Sequence, residues 1–275
     1  MYTPYALPVQ VWRQAGQRRS ARCQTGGMST ILITGASSGL GAEMARQFAA
    51  RGHDLALCAR RTERLEELRA QIATASPGRR VELRALDVTD DAQVFDVFRA
   101  FRDDFGRLDR VIVNAGLGKG APLGTGHHDA NRETAMTNFV AAIAQAEAAM
   151  EIFRAQDAGH LVLVSSMSAM RGMPKSMTVY AATKAALSHL GEGLQYELLG
   201  KPINVTVLHC GYIASEMNER VQQQVKFMVS TEDGVRSMVD AIEKEKAHAY
   251  VPPLPWTALA PVMKHAPLPL LKRLL

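Results

Sequence analysis

From Met28 onward, short apolar runs alternate with longer amphipathic stretches. ILITG precedes GAEMARQFAARG, LALCA precedes TERLEELRAQIA, and VELRALDV precedes DAQVFDVFRAFRDDFG. Strands dense in Val, Ile and Leu have no polar face to turn to water, so both faces must be covered, and strands separated by helices pair in parallel. RVIVNAG, HLVLVSS, INVTVLHC and HAYVP supply further strands, and helices are expected over residues 131–156, 178–199 and 231–244. The fold class is therefore α/β: a doubly wound, Rossmann-like parallel sheet in three layers, α/β/α, forming a single domain over residues 28–251.

The flanks differ from this pattern. Residues 1–27 contain Arg13, Arg18, Arg19 and Arg22 but neither Asp nor Glu, and no helical apolar stripe. They are expected to be a disordered or non-native extension: a transit-like leader, or a stretch ahead of a natural start at Met28. Residues 252–275 form an apolar, basic tail whose prolines 261, 267 and 269 interrupt any long helix. The tail is expected to dock on a neighbouring subunit, cover a pocket, or lie on a membrane surface.

With 47% hydrophobic residues the chain can bury a real core. Its formal charge of +5 is dispersed among acidic residues, which argues against nucleic acid as a partner. Cys23, Cys58 and Cys210 are too few and too scattered for a disulfide scaffold, so a reducing cytoplasm is the expected compartment. Peripheral membrane contact through the tail is the alternative. No metal site is expected, since His127 and His128 lack further ligands at a convincing spacing.

The first strand runs straight into ILITGASSGLG, with Gly35, Gly39 and Gly41 at the start of the first helix. Glycines let the backbone turn tightly and approach a pyrophosphate, which then sits on free N–H groups at the positive end of a helix. The end of the second strand decides which dinucleotide: an acid there accepts a ribose 2′-hydroxyl, whereas arginine accommodates a 2′-phosphate. This chain reads LCARRTERL, with Ala59 in the acid's place followed by Arg60 and Arg61. The expected cofactor is NADP(H), with Ser37 or Ser38 adding a hydroxyl contact to the phosphate.

The TGxxxGxG pattern of Thr34 to Gly41, including Leu40, resembles the short-chain dehydrogenase/reductase family. The resemblance implies that Asp87 and Val88 of LDVTD lie beside the adenine. It also implies that Asn114, Ala115 and Gly116 of VNAG line the cofactor.

Tyr180 and Lys184 share one helical face in VYAATKAAL. LVLVSSMSAMRG upstream delivers Ser165, Ser166 and Ser168 near that helix. A phenol of ordinary pKa near 10 works poorly as an acid–base catalyst at neutral pH unless positive charge stabilises its phenolate. The resemblance implies the roles. Tyr180 is the general acid/base, Lys184 lowers its pKa and bonds the nicotinamide ribose, and Ser166 holds the substrate oxygen. Asn138 of MTNFVAA anchors a water linking Lys184 to solvent.

Two departures from the family pattern stand out. The Ser166 to Tyr180 interval is one residue longer than the common one, which keeps Ser168 open as a substitute. In HCGYIASEM, Cys210 replaces the usual proline, while Gly211 remains and the Ile213 backbone is expected to meet the nicotinamide amide.

Together these residues lead to an NADP(H)-dependent oxidoreductase interconverting a carbonyl compound and an alcohol. Two alternatives stay open: a membrane-associated reductase of a lipid-linked substrate, and a dinucleotide-binding regulator without turnover. GLGKGAPLGTGHHD and SEMNERVQQQVKFMVS are the expected pocket walls, and Met167, Met170, Met173 and Met177 an adaptable apolar lining that suits a hydrophobic small molecule. The resemblance implies a homodimer or homotetramer assembled through the helices that contain Asn138 and Tyr180.

Overall fold

A computed structural model describes residues 28–216 and 227–274. Seven strands form one sheet in the order β3-β2-β1-β4-β5-β6-β7, every pairing parallel. They are β1 (Thr30–Thr34), β2 (Asp54–Ala59), β3 (Val81–Ala85), β4 (Arg110–Val113), β5 (Gly159–Ser166), β6 (Ile203–Cys210) and β7 (His248–Val251). The order reverses between β1 and β4, which opens a crevice at the carboxyl ends of these strands, where ligands of such sheets bind.

The helices are α1 (Gly39–Ala50), α2 (Thr62–Ala75), α3 (Asp91–Phe105), α4 (His128–Ala135), α5 (Ala141–Gln156), α6 (Met177–Glu197), α7 (Thr231–Glu243), α8 (Pro253–His265) and α9 (Leu268–Leu274). Their ends follow local chemistry. Asp90 caps α3 by accepting from the Gln93 N–H at 3.1 Å, and Gly106 stops it in the left-handed conformation. Ser230 caps α7 by accepting from the Asp233 N–H, also at 3.1 Å. Two apolar layers fill the two sides of the sheet. One joins Ile31, Ile33, Phe48, Leu57 and Leu208 to α1, α2 and α7; the other joins Leu32, Val111, Phe98, Phe153 and Leu163 to α3, α5 and α6. Such double coverage is the reason the strands read as unbroken apolar runs.

One expectation needs correction. The helix expected across residues 131–156 is not one regular helix: a π turn at Met136–Val140 separates α4 from α5 and carries the buried Asn138. The tail packs against the rest of the chain. Trp256, Ala260 and Met263 of α8 bury against Met167, with Met170, Tyr250 and Leu259 packed around them. Pro261 lies inside α8, but that helix ends at His265 and α9 starts at Leu268 after Pro267, so the tail holds no long helix.

Candidate active site

The glycine turn leaves β1 with Gly35 at φ +65°, a left-handed conformation that disfavours other residues. A Cβ on Gly35 would come within 2.9 Å of the Ala115 Cα, and one on Gly41 would overlap the Gly35 carbonyl. Both positions require glycine for close backbone approach. Gly39 also has positive φ, at +53°. The Ser38 side chain makes no capping bond at the start of α1, and no acid lies in the first turn. That helix end therefore keeps free N–H donors and an unneutralised positive dipole, as a pyrophosphate requires.

Thr34 fixes the facing strand end. Its hydroxyl accepts from the backbone N–H groups of Asn114 and Ala115, each at 3.1 Å, while Asn114 Nδ2 donates to the Thr34 carbonyl at 2.9 Å. Sequence reasoning left Thr34 out of the site, although a hydroxyl directly before the glycine turn was the available signal. Gly116 comes next. A Cβ there would meet Asn138 Oδ1 at 3.2 Å and Lys184 Nζ at 3.7 Å, so its lack of a side chain keeps the space beside both groups open.

Asn138 bridges the Leu117 backbone on both sides, accepting from its N–H at 2.6 Å and donating to its carbonyl at 2.8 Å. Its side chain thus holds the loop after β4 in place. Asp87 accepts from the backbone and hydroxyl of Thr89, and that backbone bond foremost keeps its carboxyl below the usual range. Arg60 adds attraction from nearby, and Val88 is buried.

Ser166 ends β5 opposite Cys210 of β6. Its hydroxyl caps the following 3-10 turn (Met167–Met170), accepting from the Ser168 N–H at 3.2 Å, and it hydrogen-bonds the Tyr180 phenol. Ser168 is buried, and among the described residues its hydroxyl has no hydrogen-bond partner. Lys184 is buried on the same face of α6 as Tyr180. Its Nζ lies 5.8 Å from the Tyr180 ring centroid and donates to the Val164 carbonyl at 2.9 Å. Ser165 ties β5 to α6 by donating to the Lys184 carbonyl at 2.9 Å.

The electrostatics differ from the expectation of a lowered phenol. Burial pushes Tyr180 up to about 12, outweighing the opposing bond from Ser166. Burial likewise brings Lys184 down to about 8. In this state the pair is a phenol beside an ammonium that is still mainly charged at neutral pH. Burial also pushes the Cys210 thiol up to about 12, against the pull of Lys184, so little reactive thiolate forms there.

Gly211 donates its N–H to the Val251 carbonyl at 2.8 Å, and a Cβ on it would overlap the indole of Trp256. Ile213 is buried and bridges Val229. Met167 is buried against α8, which corrects that member of the expected methionine wall, while Met170 packs there but stays partly exposed. Most of the expected second wall, residues 217–226, lies outside the described residues. His127 and His128 start α4, and no group of three metal-ligating side chains occurs among the described residues.

Just beyond β2, Arg61 donates to Ser38 Oγ at 2.6 Å and to Ser37 Oγ at 3.3 Å. Two residues given no role of their own from the sequence join them: Arg64 and Glu216, paired at 2.5 Å. Arg64 lies one helical turn beyond Arg61, a spacing that could have revealed it; Glu216, far away in the chain, gave no such signal.

Sheet order, glycine turn and helix end together make this a Rossmann-type nucleotide-binding fold. The chain belongs to the short-chain dehydrogenase family, a family of oxidoreductases, whose model it matches over residues 29–226. An uncharacterized oxidoreductase of Mycobacterium tuberculosis is 50% identical over 233 residues, spanning 85% of this chain and 92% of that relative. The 11-beta-hydroxysteroid dehydrogenase 1A of Arabidopsis thaliana is 38% identical over 197 residues, 69% of this chain and 53% of that protein. Among solved structures, a short-chain dehydrogenase from Sphingobium yanoikuyae in complex with NADPH is 30% identical, with a TM-score of 0.75 over 86% of this chain and 93% of that one. Levodione reductase, at 24% identity and a TM-score of 0.76, covers 84% of this chain and 98% of its own, and shares the fold.

Proposed function

We propose that the protein is an NADP(H)-dependent reductase that converts a hydrophobic ketone or aldehyde to its alcohol. The observation that carries this reading is the convergence of Ser166 and Lys184 on Tyr180, with the side-chain-free Gly116 beside Lys184. When bound, NADP(H) would supply the hydride for the carbonyl carbon, or accept it in the reverse direction. Tyr180 donates its phenolic proton to the carbonyl oxygen, and the Ser166 hydroxyl turns from the phenol to donate a hydrogen bond to the same oxygen. Lys184 places a positive charge 5.8 Å from the phenol ring, which favours the phenolate formed as the proton leaves. Asn138 positions the Gly116 loop from behind. With Tyr180 held up to about 12, the protonated form that reduction needs is the resting form at neutral pH.

Gly35, Gly39, Leu40 and Gly41 would hold the pyrophosphate; Asp87, Val88, Asn114 and Ala115 the adenine side; and Gly211 and Ile213 the nicotinamide side. The preference for NADP(H) rests on Ala59, Arg60, Arg61 and the serines bonded to Arg61, and is supported by the NADPH-bound Sphingobium relative. Assembly as a dimer or tetramer through α5 and α6 is supported by exposed Ile143 and Tyr196. The test is chemical: with NADPH deuterated at the transferable position, a panel of apolar ketones should yield alcohol carrying one deuterium at the former carbonyl carbon. Alcohol without label would defeat the reading.

A second reading, a membrane-associated reductase of a lipid-linked substrate, draws on Leu254, Leu268 and Leu270, exposed on a tail that also exposes Lys264. No helix among the described residues is long and apolar enough to cross a membrane, so such contact would be peripheral. Co-sedimentation with anionic vesicles that vanishes on deletion after Val251 is its expected signature.

A further inference from the structure

One of the two arginines assigned to the 2′-phosphate, Arg61, already faces an anion supplied by the chain itself, held more closely by its neighbour Arg64. Glu216 pairs with Arg64 at 2.5 Å and with Arg61 at 3.5 Å, and Arg61 also bonds Ser38 at 2.6 Å. Arg64 foremost, then the Ser38 hydroxyl and Arg61, hold the Glu216 carboxyl below the usual range. This is not a local helix couple: 152 residues separate Glu216 from Arg64, and 155 separate it from Arg61. The contact forms where the segment after β6 crosses the glycine turn, with Ser215 standing 3.6 Å from the position of a Cβ on Gly39. A surface groove of about 740 Å³ opens there, lined by Ser37, Ser38, Arg64, Ala214, Ser215 and Glu216. An ordinary exposed ion pair contributes little to stability. Here, however, the carboxylate engages Arg61, a donor that the proposed cofactor would use, together with the neighbouring Arg64.

We propose that Glu216 is a tethered anion that competes with the cofactor's 2′-phosphate for Arg61, Arg64 and Ser38, and so sets how strongly the protein distinguishes NADPH from NADH. The inference rests on the NADP(H) reading above. A phosphate monoester carries about −1.5 to −2 at pH 7 and presents three acceptor oxygens, against one charge for the carboxylate, so the phosphate wins the exchange. NADH has no such group, leaves Glu216 on its arginines, and binds without the exchange. Glu216 therefore weakens NADPH binding while leaving NADH binding as it is.

The test is equilibrium titration by reduced-nicotinamide fluorescence, with NADPH and NADH, of wild type, Glu216→Gln and Arg61→Met, in 0.02 and 0.15 M salt. Glu216 is exposed, so the glutamine variant should keep the fold, and an unchanged NADH affinity checks this directly. The expected result is NADPH binding roughly three- to ten-fold tighter in Glu216→Gln with NADH altered less than two-fold, an effect larger at low salt. Unchanged or weaker NADPH binding in Glu216→Gln, beside a wild-type preference for NADPH that Arg61→Met abolishes, would overturn the inference and leave the NADP(H) reading intact. No preference for NADPH in wild type and no effect of Arg61→Met would instead defeat that reading, and the inference with it.

Discussion

Replacing Lys184 by methionine should make the protein more stable and inactive at once. The ammonium is buried, and burial lowers its pKa from 10.5 to about 8. That displacement means that holding the charge inside the fold at neutral pH costs on the order of 3 kcal/mol. Methionine keeps the unbranched stem and removes the charge, but also removes the bond to the Val164 carbonyl, a loss of about 1 kcal/mol. The net gain is about 2 kcal/mol, a rise in Tm of roughly 4–8 °C for a chain of this size.

The gain should depend on pH in a definite direction. Below pH 8 lysine is charged in both folded and unfolded chains, and the folded state bears the full cost. Between 8 and 10.5 only the unfolded chain keeps the proton, so wild-type stability recovers as pH rises and the gap to the variant closes. Scanning fluorimetry of both proteins at pH 7 and pH 10 measures this. A Lys184→Met variant no more stable than wild type at pH 7, or a gap that does not narrow at pH 10, would refute the reasoning.

Other outcomes follow from the same geometry. Gly211→Ala drives a Cβ into the Trp256 indole and should destabilise by about 1–3 kcal/mol in chemical denaturation, whereas in a Trp256→Leu background the same change should cost much less. Ser166→Ala should lower kcat by roughly 10²-fold, while Ser168→Ala, which removes a hydroxyl unpartnered among the described residues, should stay within a few-fold of wild type in steady-state assays. Reductive turnover should be level near neutrality and fall as pH rises through about 8, where Lys184 loses its proton and Tyr180 still keeps its own; a pH profile of kcat reads this directly.

The layered sheet was legible because its signals are local and redundant: apolar runs, amphipathic stretches and the glycine turn of Gly35, Gly39 and Gly41 recur in register with the fold. Tyr180 and Lys184 were legible for the same reason, one turn apart on one helix. The π turn at Asn138 was not, since a single extra residue in a turn barely disturbs helical periodicity between α4 and α5. Met167 read as pocket lining because nothing in its own segment reports α8, which arrives from near the end of the chain. The raised phenol of Tyr180 was hidden because its cause is burial by neighbours from several elements, not the lysine beside it in sequence. Glu216 was hidden by its distance along the chain from Arg61 and Arg64.

The central claim is that Tyr180 delivers the proton, and Tyr180→Phe isolates one oxygen atom. The decisive measurement is single-turnover oxidation of NADPH by a carbonyl acceptor that wild type reduces, with NADPH affinity titrated alongside. The account predicts a rate at least roughly 10²-fold below wild type with cofactor affinity preserved. A Tyr180→Phe protein that binds NADPH and reduces the carbonyl at near wild-type rate would contradict it.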